Sequence, residues 1–447
     1  MAALVGYPLW WAIGLGALVF PIAAIPMAWH LKQLPHIHVP PWFGLWILFV
    51  TWSLLGAVVL GINAPDTLPT TFAQALDAYV LRSLQYLGAT VVLLYVGNLT
   101  EREVPKLRII KWMSVLFVVT LGGGFLGLAV PSLEWKSPVE LLLPGPLAER
   151  RGIVSMVHPQ VAQIQDVIGT GDPRPNAPFE FTNAWGNNLS ILIIWFVVWA
   201  LVYGTARRRL LGIAALAVAV VPVIYSLNRG LWLGLAIAVC YAAFRLAIAG
   251  RPWLIGILVG VGAVGLAVLA VTPLGNVVES RADAGHSNQV RSSLAQASID
   301  GALSSPLIGY GSTRETVGSD ESIAIGATPE CPRCGNRTIG STGHAWNVLY
   351  SHGFVGLGAF LGFFLATLWR FRRDSSPIGI AGHTIVLVQM LYVFVYVGIS
   401  STLSLLMISV ALLWRSDRDH EQGYADPPIP PVTDTGFRKL PPRWEPA

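Results

Sequence analysis

The chain has 447 residues, of which 54% are hydrophobic and 12% charged, and a net charge of +5. Soluble globular chains carry about 25% charged residues, so the composition excludes a soluble fold, and three cysteines in the whole chain exclude a disulfide-rich scaffold. Apolar runs of about 20 residues, each long enough to cross a hydrocarbon core of roughly 30 Å, follow one another with short polar breaks; the expected class is an all-α polytopic integral membrane protein.

In chain order, the windows predict spans at 8–29, 41–62, 77–98 and 109–131, which fill a first region, 1–131. An outer-face loop follows over 132–187, then spans at 188–205, 209–227, 230–249 and 253–272 within region 188–272. A larger outer-face loop covers 273–344, and spans at 345–369, 378–397 and 400–414 complete region 345–415, making eleven. The first window lacks a basic flank and is too long for a signal-peptide core, so it is expected to remain in the mature protein. Within the second loop, Val290, Leu294, Ala297 and Gly301 recur at helical spacing on a polar stretch, predicting a short helix on the membrane surface. The tail over 416–447, rich in proline and charge, reads as disordered and cytoplasmic.

Charge sets the orientation. Lys32, the cations between Arg102 and Lys111, Arg207–Arg209, Arg245, Arg251, Arg370–Arg373 and the tail fall on one side, which holds 18 of the 29 Lys and Arg but nine of the 24 carboxylates. That side is cytoplasmic by the positive-inside rule, and both long loops lie outside. The basic balance is therefore orientation charge; membrane lipids are expected around the chain and nucleic acid is not.

Long outer loops are where function is expected. Arg229, in YSLNRGLWLGL, stands between two apolar helices at the outer end, where a cation is costly unless an anion or polar group meets it or it snorkels to the headgroups. Arg82, about one turn inside the third span, reads as pairing internally, with Asp77 or a carbonyl. Arg291 is the cation of the surface helix, and the SPLIGYGST turn that follows, with Tyr310, can offer backbone amides to an oxyanion. His344, Asn347 and, deeper, His352 share one helix face where the loop re-enters the membrane. An imidazole can take a proton from a hydroxyl at neutral pH, although an interfacial histidine can also be inert. Cys331 and Cys334 read as a local disulfide, since their spacing to His344 and His352 fits no usual zinc site, and Cys240 reads as an inert core residue. Asp417-Arg418-Asp419 is the only Asp-x-Asp string and is cytoplasmic; outer carboxylates such as Glu180 and Asp300 are scattered. Outer-face chemistry is thus expected to need neither metal nor cofactor.

Together, NRGLWLGL at Arg229, the stretch from Arg291 through PLIGYG, and GHAWNVLYSHGFVGLGAF at His344 resemble the O-antigen ligase and polymerase superfamily of bacterial envelopes. RPNAPFEFTNAWGNN before the fifth span is similar to the family's stretch at that place, and the resemblance covers most of 77–397. Family members usually show His and Asn adjacent at the re-entry, whereas here Ala345 and Trp346 intervene, and twelve spans are often seen. The resemblance implies a glycosyltransferase of the bacterial inner membrane. It would move a glycan from a polyprenyl diphosphate carrier to a hydroxyl of a glycan, lipid or protein on the outer face, metal-free and with inversion. It further implies Arg229 and Arg291 as diphosphate clamps, His344 as the group that activates the acceptor, and Arg174, Asn183, Trp185, Tyr310 and Asn347 as substrate-binding residues. A polymerase joining carrier-linked repeats is the nearest alternative. A transporter of the same lipid-linked sugar is the more distant one, which would place ionisable groups on broken helices near mid-membrane.

Cysteines introduced at Ser137 and Ser287 should react with an impermeant thiol reagent added outside, and one at Ser416 should not. Labelling of Ser416 with protection of Ser287 would invert the topology.

Overall fold

Away from water, backbone N–H and C=O groups can pair only within the protein, and long apolar runs meet that demand as helices. The computed structural model describes residues 1–148, 151–166, 171–248, 250, 256, 286–316 and 337–421 and is mostly helical. The first helices are α1 (Ala2–Val5), α2 (Tyr7–Ala12), α3 (Val19–Gln33), α4 (Phe43–Leu55), α5 (Phe72–Asn98) and α6 (Lys106–Ala129). A reciprocal capping box between Thr71 and Gln74 starts α5. The segment to the next long helix holds α7 (Pro138–Leu141), α8 (Gly145–Ala148), α9 (Arg151–Val157) and an antiparallel hairpin of β1 (Ala162–Asp166) and β2 (Gly171–Pro175). There follow α10 (Thr182–Val197), continued by a π turn over Val198–Val202, then α11 (Ala206–Tyr225), α12 (Arg229–Ile248), α13 (His286–Ser304), α14 (His344–Phe371), α15 (Pro377–Tyr392) and α16 (Ser401–Glu421).

Among the described residues six helices are long and apolar enough to cross a membrane: α5, α6, α10 with its π turn, α11, α12 and α14. Phe43–Val59 and Pro377–Tyr392 are shorter apolar helices. The first predicted span is divided, because α2 stops before Gly14, whose φ of +90° turns the chain, and α3 begins only at Val19. The expected span at 253–272 and the Cys331–Cys334 pair lie outside the described residues. Among the described residues the main apolar core, around Trp46, Phe49, Tyr86, Phe117, Trp185, Trp195 and Phe363, joins α4, α5, α6, α10 and α14.

At one end the basic segments converge. Lys106 pairs with Asp419, Arg415 with Glu101 (2.9 Å), Arg370 with Asp417 (2.8 Å), and Arg245 donates to the Asp374 carbonyl (2.6 Å). These bonds carry α16 out to Glu421, so 416–421 is helix rather than disordered tail. Ser137 and Ser416 are both fully buried, so thiols there would stay silent from either side; exposed Leu142 and Arg102 are the better reporters.

The expected single span at 345–369 is broken. Gly353 has φ 66° and ψ −169° inside α14, and the His344 ring lies 4.9 Å from that of Phe360. Sixteen residues of continuous helix would separate them by about 24 Å, so 344–352 doubles back along 354–371. His344 therefore lies beside the second turn of 354–371, at Phe360, and His352 sits by the break. The break is closed by Phe354 N–H donating to the Pro306 carbonyl (2.8 Å). At Gly353 an added Cβ would sit 2.5 Å from the carbonyl oxygens of Pro306 and Leu307, on top of the left-handed φ. Gly353→Ala should cost about 1–3 kcal/mol, read as a lower melting temperature in detergent. Gly358→Ala, where a Cβ would meet nothing within 4 Å, should melt with wild type.

Candidate functional site

At the end opposite the basic convergence, the short helix 344–352 is held by other segments at both of its ends. Its first N–H groups, on His344 and Ala345, donate to the carbonyls of Tyr396 (2.8 Å) and Val393 (2.7 Å). Its last carbonyls, on Tyr350 and Ser351, accept from the N–H groups of Tyr310 (3.1 Å) and Gly311 (2.8 Å). These are the terminal groups that a helix cannot satisfy itself. Gly309, with φ +67°, lets its backbone lie where a Cβ would be 2.5 Å from the Tyr350 carbonyl oxygen.

His344 is 1% exposed, packed between Tyr86 (6.1 Å between ring centroids) and Phe360, and neither ring nitrogen has a hydrogen-bond partner. Asn347, one turn on, is 2% exposed, and its side-chain oxygen is likewise unpartnered. His352 instead shares a hydrogen bond with the Ser53 hydroxyl (3.0 Å). Arg82 pairs internally, as expected of it, and donates to the hydroxyls of Thr313 (3.0 Å) and Ser312 (3.5 Å). A narrow recess with room for about one water molecule adjoins His344 and is lined by Asn187, Gln389, Tyr392, Tyr396 and Thr402.

Tyr396 joins this helix to the arginines. Its phenol donates to the Asn228 side-chain oxygen and lies within electrostatic reach of Arg291 and Arg174. Asn228 also accepts from the Leu231 N–H (3.2 Å), capping α12 one residue before Arg229. The glycines of NRGLWLGL have a physical role: a Cβ at Gly230 would be 2.3 Å from the Tyr396 hydroxyl, and one at Gly234 would be 1.9 Å from that of Tyr392. Leu227 and Ser400 adopt left-handed φ values of 52° and 63°, a strain rare outside glycine, at the two turns that frame this contact.

The predicted site residues thus separate. Arg174, on β2, is 8% exposed and donates to the Ser226 carbonyl (2.9 Å); burial, with Arg291 adding to it, lowers its guanidinium to about 10, against an opposing pull from Tyr396. Arg291 is half-buried on α13, whose inner face of Leu294, Ser298, Gly301 and Ala302 packs on the protein, with Gly301 against Tyr350, rather than lying freely on a membrane surface. Arg229 is half-buried at the start of α12. Tyr310 is buried and packs at a tilt against Tyr350 (5.2 Å between ring centroids), forming the turn's wall, and burial raises its phenol. Asn183 is exposed on the first turn of α10. Trp185 does not face this site: it is fully buried in the helical core, with its indole N–H on the Thr120 carbonyl (3.1 Å).

Sequence reading passed over Tyr396 and Arg314. The Arg314 guanidinium is buried and gathers the carbonyls of Leu60, Ile62, Tyr310, Ser312 and Thr313, fastening the turn after α13 to the end of α4. An aromatic residue closing the window at 378–397 was the available signal for Tyr396, and it reads equally well as interfacial anchoring. Among the described residues no group of three His, Cys, Asp or Glu side chains is placed to hold a metal ion. Chemically, the arrangement offers guanidinium donors for an oxyanion and, on the helix whose first N–H bonds Tyr396, an imidazole with both nitrogens unpartnered. No protein-family model matches the chain, and no curated protein matches its sequence.

Glu180 is 8% exposed in the turn before α10, where burial raises its carboxyl above the ordinary value and a 3.2 Å hydrogen bond from Ser400 opposes the rise. The folded state keeps this proton to higher pH than the unfolded chain, so stability falls as pH rises from the unfolded value, roughly 4.3, through the folded one. Glu180→Gln cannot ionise, and its melting temperature relative to wild type should climb between pH 4 and pH 8. A pH-independent difference would show that this carboxyl is not desolvated.

Proposed function

We propose that the chain is a polytopic glycosyltransferase of the bacterial inner membrane, with its two long loops on the outer face, that moves a glycan from a polyprenyl diphosphate carrier to an acceptor hydroxyl. The observation that carries this reading is the juxtaposition at one end of the bundle: a buried imidazole with both nitrogens unpartnered, on a residue whose backbone N–H bonds the Tyr396 carbonyl, while the Tyr396 phenol lies within electrostatic reach of Arg174 and Arg291 beside the start of α12. In the proposed step the acceptor oxygen attacks the anomeric carbon from the face opposite the carrier, and its proton passes to His344. The bond from carbon to the diphosphate oxygen breaks, the electron pair leaves with the diphosphate, and the anomeric centre inverts. Arg229 and Arg291 meet the charge that grows on the leaving group, where guanidinium offers phosphate oxygens two parallel donors. Arg174 and Tyr310 shape the surrounding walls, Asn183 stands at the exposed rim, and Asn347 lies one turn from the base. Because His344 is closed off in this conformation, the acceptor reaches it only when the Val393–Ser400 segment draws aside.

A second reading, a transporter for the same lipid-linked sugar, is favoured by the interrupted α14, which sets its histidines against the middle of α5 at Tyr86.

Purified protein given a polyprenyl-diphosphate glycan and candidate acceptors should release free diphosphate carrier and yield a glycosylated acceptor by mass. The acceptor that is used separates a ligase from a polymerase. His344→Ala should keep donor binding and lose transfer by about 100-fold or more. Arg229→Lys keeps the charge without the planar fork and should weaken donor use as well as turnover. Movement of intact donor across liposomes with no transfer product would favour the transporter, and a His344→Ala protein that transfers at the wild-type rate would remove the base.

A further inference from the structure

The opposite end of the bundle holds a pocket that this chemistry does not use. It is a cavity of about 510 Å³ between the first turns of α6, the π turn after α10 and the start of α11, lined by Arg108, Lys111, Trp112, Trp199, Tyr203 and Arg208. Three cationic side chains face it and no carboxylate side chain does. The contrast with its surroundings is sharp, since Lys106, Arg370 and Arg415 at the same end each have a carboxylate partner.

Local geometry keeps these charges available. The π turn closes with Tyr203 N–H donating to the Val198 carbonyl (3.0 Å), and the carbonyls of Leu201 and Val202 are taken by Arg209 (3.0 and 3.5 Å). Arg208 is thereby left stacked over Trp199, 4.6 Å from the ring centroid, with a single 3.5 Å bond to the Tyr203 carbonyl. Arg108 and Lys111 are exposed on α6, one turn apart along the pocket rim. Trp112, Trp199 and Tyr203, which line it together with Met1 and Leu107, belong to the side chains that settle at the headgroup level of a bilayer, where an apolar ring and a polar edge are both accommodated.

We infer that this pocket binds the phosphodiester headgroup of an anionic phospholipid from the leaflet at that end of the bundle. Unpaired cations between helix ends at a membrane surface are the feature that recognises such a headgroup. The carboxylate-free lining favours net negative charge over a zwitterion, and the open side of the cavity leaves the acyl chains in the bilayer. The inference needs only the membrane placement of the helices and is independent of any transfer activity.

Native mass spectrometry of the detergent-purified chain, incubated with chain-matched phosphatidylglycerol or phosphatidylcholine, tests it. Wild type should retain the anionic lipid in preference. Arg108→Gln or Lys111→Gln should each lower retention about fivefold, and the triple variant with Arg208→Gln about 100-fold. The pair Arg102→Gln and Arg373→Gln, removing exposed cations of the same end outside the pocket, should retain it as wild type does. Should the triple variant fail to fold, the two single exposed substitutions carry the test. Equal retention of both lipids, or wild-type retention by the variants, overturns the proposal. Displacement of the lipid by millimolar inorganic phosphate would overturn it in another way, assigning the pocket to a soluble anion; failure of phosphate to compete supports the bilayer source.

Discussion

A backbone amide or carbonyl out of reach of water has to find its partner inside the protein, and an unpaired one costs several kcal/mol in hydrocarbon. Continuous helices meet this demand along their length, but α14 is interrupted, and the interruption creates two new helix ends within the bundle. Each is answered by a different part of the chain: Tyr310 and Gly311 donate to the last carbonyls of the short helix and Pro306 accepts from Phe354, while Tyr396 and Val393 accept from the first N–H groups at the helix's own start. The arrangement of the site follows from that pairing. It fixes the turn after α13, the segment after α15 and the short helix relative to one another, and places His344 among Tyr86 and Phe360.

Electrostatics then distinguishes the two ends. At the end with the basic convergence, most of the deeply placed cations have carboxylates within a salt-bridge distance, and these pairs extend α16 past its apolar stretch. At the other end, Arg314 gathers five carbonyls and Arg82 donates to two hydroxyls, so both charges fasten the turn after α13. Glycine supplies the closeness that such packing needs: Gly230 and Gly234 admit the hydroxyls of Tyr396 and Tyr392 against α12 at a distance no side chain would permit.

Much of this was legible in the residues. Hydropathy located the long helices at 72–98, 106–129, 206–225 and 229–248 to within a few residues, because bilayer thickness imposes one strong period-free signal. The spacing of Val290, Leu294, Ala297 and Gly301 correctly indicated a helix, though not that Ser298 would share its buried face. The break at Gly353 was hidden because it lies in a run with Gly356, Gly358 and Gly362, and only the carbonyls of Pro306 and Leu307, far away in sequence, single one of them out. The hairpin at 162–175 was missed because its strands are five residues each and one contains two prolines. Trp185 looked like a binding aromatic from its neighbours in the chain, whereas its indole N–H is committed to Thr120, a partner 65 residues earlier.

The short helix from His344 to His352 also behaves as a strut. One end bears on Gly309–Gly311, the other on Val393–Tyr396, and both contacts are backbone to backbone, without a flexible side chain in between to absorb displacement. A push on the turn after α13 is delivered along the rod to the segment carrying Tyr396, and the imidazole rides with it. The position of the His344 ring is therefore tied to that of the turn at Gly309–Gly311, so that the turn is the handle and the buried ring the far end of a single lever.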